Sequence, residues 1–136
     1  MSKSLRQLLA LLAGMVAAMV VTMALQGVGH HFFPLPPGLD PRDAEALAAH
    51  LRAAPAAALL APLAGHLLGT LAGAWTAVRV ARPHGRPAGL LVGVLMLSGA
   101  IANLLLIPHP PWFIAADLPG IGLAAWAGMA LAGRAS

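Results

Sequence analysis

Few side chains in this sequence could do chemistry, and they are placed unevenly. His66 lies within an apolar stretch, in the run Gly65-His66-Leu67-Leu68-Gly69, and Asp117 lies within another. Gln26 and His30 are spaced i, i+4 and so share a helical face. Asn103 and His109 stand near the end of a third apolar run. A histidine, a carboxylate and two amides could carry a proton, hold a small solute or donate to a metal. A histidine flanked by glycines could also offer its ring nitrogen to a metal or a tetrapyrrole, and His66 is the candidate for that. Plainer roles stand beside these. Asp117 could cap a helix starting at Leu118-Pro119, His30 and His109 could be solvated at an interface, and Gln26 and Asn103 could join helices by hydrogen bonds. His66 is the deepest ionisable group, and a ring facing lipid would be unsatisfied, so it is expected to face inward and bond to Gln26, Asn103 or a bound ligand.

Other chemistries lack their residues. There is no cysteine, which removes disulfides and thiolate metal sites. There is no HExxH or HxxxH pairing, so a metal site would have to draw ligands from several helices. No glycine-rich phosphate loop and no recognisable Ser–His–Asp spacing occurs. The only lysine is Lys3, which leaves none within an apolar run for a Schiff base. No catalytic residue is assigned, and the chain does not read as an enzyme.

The elements that must position these residues follow from where charge is missing. No Asp, Glu, Lys or Arg occurs between Arg6 and Asp40, Arg52 and Arg79, Arg86 and Asp117, or Asp117 and Arg134. A hydrocarbon core of about 30 Å takes roughly 20 helical residues, and the apolar blocks at about 5–28, 56–80, 88–107 and 112–131 have that scale. The expectation is an all-α membrane protein: a four-helix transmembrane bundle forming a single domain over residues 1–136. Charged residues are 9% of the chain and hydrophobic residues 60%, far from the roughly 25% charged of soluble domains. The first apolar run extends from Leu8 to Val28, longer than a signal-peptide core, and reads as a retained span. Between the first two spans, Asp40-Pro41 looks like an N-cap and first helical position. It should open a short amphipathic helix over 41–53 in an external loop.

Lys3, Arg6, Arg79, Arg82, Arg86 and Arg134 fall on one side of these spans and only Arg42 and Arg52 on the other. The positive-inside rule then puts both termini in the cytoplasm, in a bacterial inner membrane. The pI near 11.6 reflects this topology and not nucleic-acid binding. Glycines mark the packing faces: Gly65, Gly69 and Gly73 recur every fourth residue, with Ala10-Gly14-Ala18, Gly89 and Gly93, and Ala124-Gly128-Ala132 on the other spans. Small residues at this spacing let helix backbones approach closely. Gly69→Leu is expected to be more disruptive than Gly14→Leu.

Two patches carry a resemblance. Gly29-His30 with Pro34 and Pro36-Pro37-Gly38-Leu39-Asp40, and Asn103 through Ile107 with Pro108-His109-Pro110-Pro111-Trp112-Phe113, resemble a group of small bacterial four-span membrane proteins of uncharacterised activity. The resemblance implies the architecture and a bacterial origin. That group would carry an acidic residue near the end of the first span, where this chain has Gln26. The first functional reading is an accessory or scaffold subunit, a homodimer or part of a larger membrane complex, embedded in the lipid bilayer. A transporter or channel using the outer polar residues is the alternative, and a metal- or tetrapyrrole-binding module at His66 is a further one.

Overall fold

The computed structural model describes residues 1–134. They form five helices: α1 (Lys3–Phe32), α2 (Ala44–Ala53), α3 (Ala56–Val80), α4 (Arg86–Leu106) and α5 (Pro111–Arg134). No strand occurs among the described residues. Four of the five, all but α2, are long and apolar enough to cross a membrane. The bundle is inverted relative to a soluble protein. Large apolar side chains such as Leu8, Leu12, Val16, Leu90 and Leu123 point outward, whereas the core is mainly alanine and glycine. Such a surface is stable only against another apolar phase, which fits a multi-pass membrane protein.

The helix ends follow local chemistry, and those at the end of α1 and the start of α2 differ from the sequence reading. Ser2 caps α1, its side chain accepting from the Leu5 amide at 3.2 Å. The helix then continues through His30 and His31 to Phe32. Its 30 residues measure about 45 Å at about 1.5 Å per residue, so α1 tilts or projects beyond a hydrocarbon core. The loop turns at Pro36–Leu39, where the Leu39 amide reaches the Pro36 carbonyl at 3.2 Å and Gly38 has φ 84°. That positive φ is the reason a glycine sits there.

The start of α2 is a correction. Asp40 does not cap it. Its side chain instead accepts from the Arg42 amide at 2.9 Å, closing a turn that contains Pro41. Asp43 is the cap, accepting from Ala46 at 3.1 Å. The start of α5 agrees with the span expected from about residue 112, and the alternative of Asp117 as a cap is what the structure corrects. Pro111 supplies a first helical position that needs no amide donor, so α5 begins there and Asp117 lies in its interior, capping nothing.

The spans pack around α3, which touches all three of the others and α1 most extensively. A Cβ added at Gly14 would lie 2.7 Å from the Gly73 carbonyl oxygen, and one at Gly73 would lie 2.7 Å from that of Gly14. One at Gly69 would meet Thr22 and the Ala18 carbonyl. Gly14 and Gly69 therefore lie in one seam with backbone equally near, and the expected ranking of their leucine variants has no geometric basis. Gly65 abuts Thr22, Gly89 abuts Val78 and Met129, Gly93 abuts Ala125, and Gly128 abuts the Leu71 carbonyl. All six candidate packing glycines lie against a neighbouring helix of the same chain.

Candidate functional site

Asp117 is six residues into α5 and His66 ten into α3, or about 9 and 15 Å along their axes. Across that helix pair, His66 Nδ1 and Asp117 Oδ1 are 2.9 Å apart. The expected partners of His66 were Gln26, Asn103 or a ligand. The partner is Asp117, which stands inside α5 and faces His66 across the α3–α5 pair. Asp117 has no exposed surface, and the His66 side chain is 14% exposed. Asp117 Oδ2 is also buried and has no hydrogen-bond partner among the described residues. A buried carboxylate oxygen without a hydrogen-bond partner is costly, and Oδ2 is the unsatisfied atom of the pair.

Neighbouring groups hold the pair in place. Thr70 donates to the His66 carbonyl at 2.6 Å, within α3. Thr22 donates to the Gly65 carbonyl at 2.9 Å across the α1–α3 seam. Phe113, fully buried one turn before Asp117, presents its ring edgewise to His66 with centroids 6.4 Å apart. Its other neighbour is His109, stacked at 4.8 Å. His109 is fixed by its Nδ1–H, which donates to the Ile107 carbonyl at 2.7 Å.

Above the pair, the remaining candidates meet. Gln26, His30, Asn103 and His109 line one cavity of about 290 Å³, with Pro62 at its edge and Leu47 and Leu51 of α2 on its rim. Pro62 stands one turn, about 5.4 Å, outward of His66 on the same helix. Having no N–H, it leaves the Ala58 carbonyl without its usual helical donor, and Ala58 lines this same vestibule. Inward of the pair the core is Ala10, Ala77, Ala81, Ala88, Val92 and Met96. The vestibule lies at the α2 end of the bundle, and neither His66 nor Asp117 lines it.

The six candidate residues divide into two layers. His66 and Asp117 form the buried pair, and Gln26, His30, Asn103 and His109 form the vestibule. The sequence reading omitted Thr22, Thr70 and Phe113. Thr22 had a signal, since it continues the four-residue stripe of Ala10, Gly14 and Ala18. Phe113 had none, because its role depends on how α5 is rotated. Among the described residues no group of three His, Cys, Asp or Glu side chains could hold a metal ion. His66 has one ring nitrogen on Asp117 and lines neither of the two cavities at the α2 end.

No family model, curated protein or solved structure matches this chain.

Proposed function

We propose that this chain is a multi-pass protein of a bacterial cytoplasmic membrane, with both termini in the cytoplasm. In this reading it binds a small monovalent cation, taken up from the outer face, at the His66–Asp117 pair. The observation that carries the proposal is Asp117 Oδ2, a buried carboxylate oxygen without a partner. Outward of it, and not lined by it, is a vestibule with Gln26, Asn103 and Ala58 in its lining, residues that carry oxygen acceptors. Oxygen acceptors and a carboxylate suit a small hard cation. The six-to-two division of Lys and Arg supports the orientation, and the two sequence patches support the bacterial four-span group.

In this reading the site is a binding site and not a through-path, because the alanine-rich inner core offers no polar route. Transport would need a conformational change or a partner. The scaffold reading is second. What favours it is the close helix packing, but the glycine faces that would dock a partner are already occupied by this chain's own helices.

Carbodiimide labelling tests the proposal. Asp117 is the only carboxyl side chain in any of the four spans. The expected result is a modified Asp117 peptide by mass spectrometry, with labelling that declines as sodium, potassium or ammonium is added. Labelling confined to Asp40, Asp43 and Glu45, or unaffected by each of these cations, would overturn it.

A further inference from the structure

The opposite end of the bundle holds a second site that the cation-binding reading does not use. Arg82, Arg86 and Arg134 line one cavity of about 420 Å³, together with Val78, Gly85 and Met129. They come from the α3–α4 link, the start of α4 and the end of α5. Arg82 is held in place, its guanidinium donating to the Ala132 carbonyl. Arg86 and Arg134 are exposed. No Asp or Glu stands at this end, since Asp40, Asp43, Glu45 and Asp117 all belong to the other. Three guanidiniums around one cavity, with no Asp or Glu side chain beside them among the described residues, form a receptor for a phosphate group.

A second feature indicates what carries that phosphate. An apolar cleft of about 290 Å³ adjoins the cavity, sharing Arg86 and Met129 and adding Pro87 and Leu90. Leu90 is itself exposed on the outer surface of α4. A cationic mouth continuous with an apolar slot on the lipid-facing side matches an amphiphile, with headgroup at the arginines and acyl chain along Leu90 and Met129. Basic pockets between transmembrane helices recognise anionic headgroups in this way. We propose that Arg82, Arg86 and Arg134 bind the headgroup of an anionic phospholipid whose chain lies in the Leu90–Met129 cleft.

The test compares phosphatidylglycerol, phosphatidylcholine and inorganic phosphate as additives to the detergent-purified protein, read by thermal melting and by lipid adducts in native mass spectrometry. Phosphatidylglycerol should raise the melting temperature and remain bound, whereas the other two should do neither. In the Arg86→Gln/Arg134→Gln variant its affinity should fall about 30-fold, taking each arginine near a membrane surface at its usual strength. Arg42→Gln/Arg52→Gln, which removes the same charge from the other end, should leave binding unchanged. Should the double variant not fold, Arg134→Gln alone, at the exposed end of α5, should weaken binding about fivefold. Equal stabilisation by phosphatidylcholine, equal stabilisation by inorganic phosphate, or full binding by the Arg86 and Arg134 variants would each overturn the proposal.

Discussion

Replacing His66 by leucine takes away the only hydrogen-bond partner, among the described residues, of a carboxyl group that has no exposed surface. Breaking a buried ion pair from one side costs about 3–5 kcal/mol, because the remaining charge is uncompensated or must take a proton to disappear. Asp117→Leu leaves an imidazole that can be neutral and keeps some exposure. The cost there is nearer that of an unmet polar group, about 1–3 kcal/mol. The double variant leaves no orphan at all. Its cost should fall short of the sum of the singles by about 2–3 kcal/mol. Hydrogen bonds between neutral groups on membrane helices average only about 0.6 kcal/mol by the same kind of cycle. The size of the coupling therefore separates a charged unit from an ordinary interhelical bond. The assay is unfolding by denaturing detergent in mixed micelles, followed by tryptophan fluorescence. Trp112 stands edge-on to Phe113 with centroids 5.9 Å apart and so reports on this corner. A coupling of about 0.6 kcal/mol or less, or an Asp117→Leu more damaging than His66→Leu, would refute the reasoning.

Four further outcomes are expected. Gly14→Leu and Gly69→Leu should each destabilise the bundle by about 1–3 kcal/mol or more by overpacking one seam, while Gly27→Leu and Gly99→Leu, where an added Cβ meets nothing within 4 Å, should melt like the parent in the same detergent. Thr22→Val should cost about 1 kcal/mol by removing the hydroxyl donation to the Gly65 carbonyl across the α1–α3 seam, read in the same unfolding titration. Phe113→Leu should speed carbodiimide labelling of Asp117, since a smaller side chain then separates His66 from the vestibule side. Cysteines placed at Ser2 and Ala44 should label from opposite sides of intact cells, and labelling of both from outside would contradict the topology.

The architecture was legible because lipid imposes strict rules. An uncharged apolar run can only be a helix there, and small residues every fourth position can only be packing faces. Even so, helix starts depended on finer competition. Asp40 and Asp43 are both plausible caps, and Asp43 prevails because Asp40 is drawn into the turn around Pro41. At α5 the expected start near residue 112 agrees with Pro111, and only the alternative of Asp117 as a cap before Leu118-Pro119 fails. Asp117 could be named as a site residue but not matched to His66, because which faces of α3 and α5 meet is not encoded in either segment alone. Convergence of Gln26, His30, Asn103 and His109 on one vestibule depends on the rotation of three segments about their axes, and periodicity within each segment does not encode it.

The most direct measurement is the ¹⁵N spectrum of histidine-labelled protein in micelles, with His66 assigned by loss of its signal in His66→Gln. Adding sodium, potassium or ammonium at constant pH should shift the His66 ring nitrogens as a cation binds beside Asp117, and Asp117→Asn should abolish the response. A His66 signal that ignores all three cations, or responds equally in Asp117→Asn, would contradict the account.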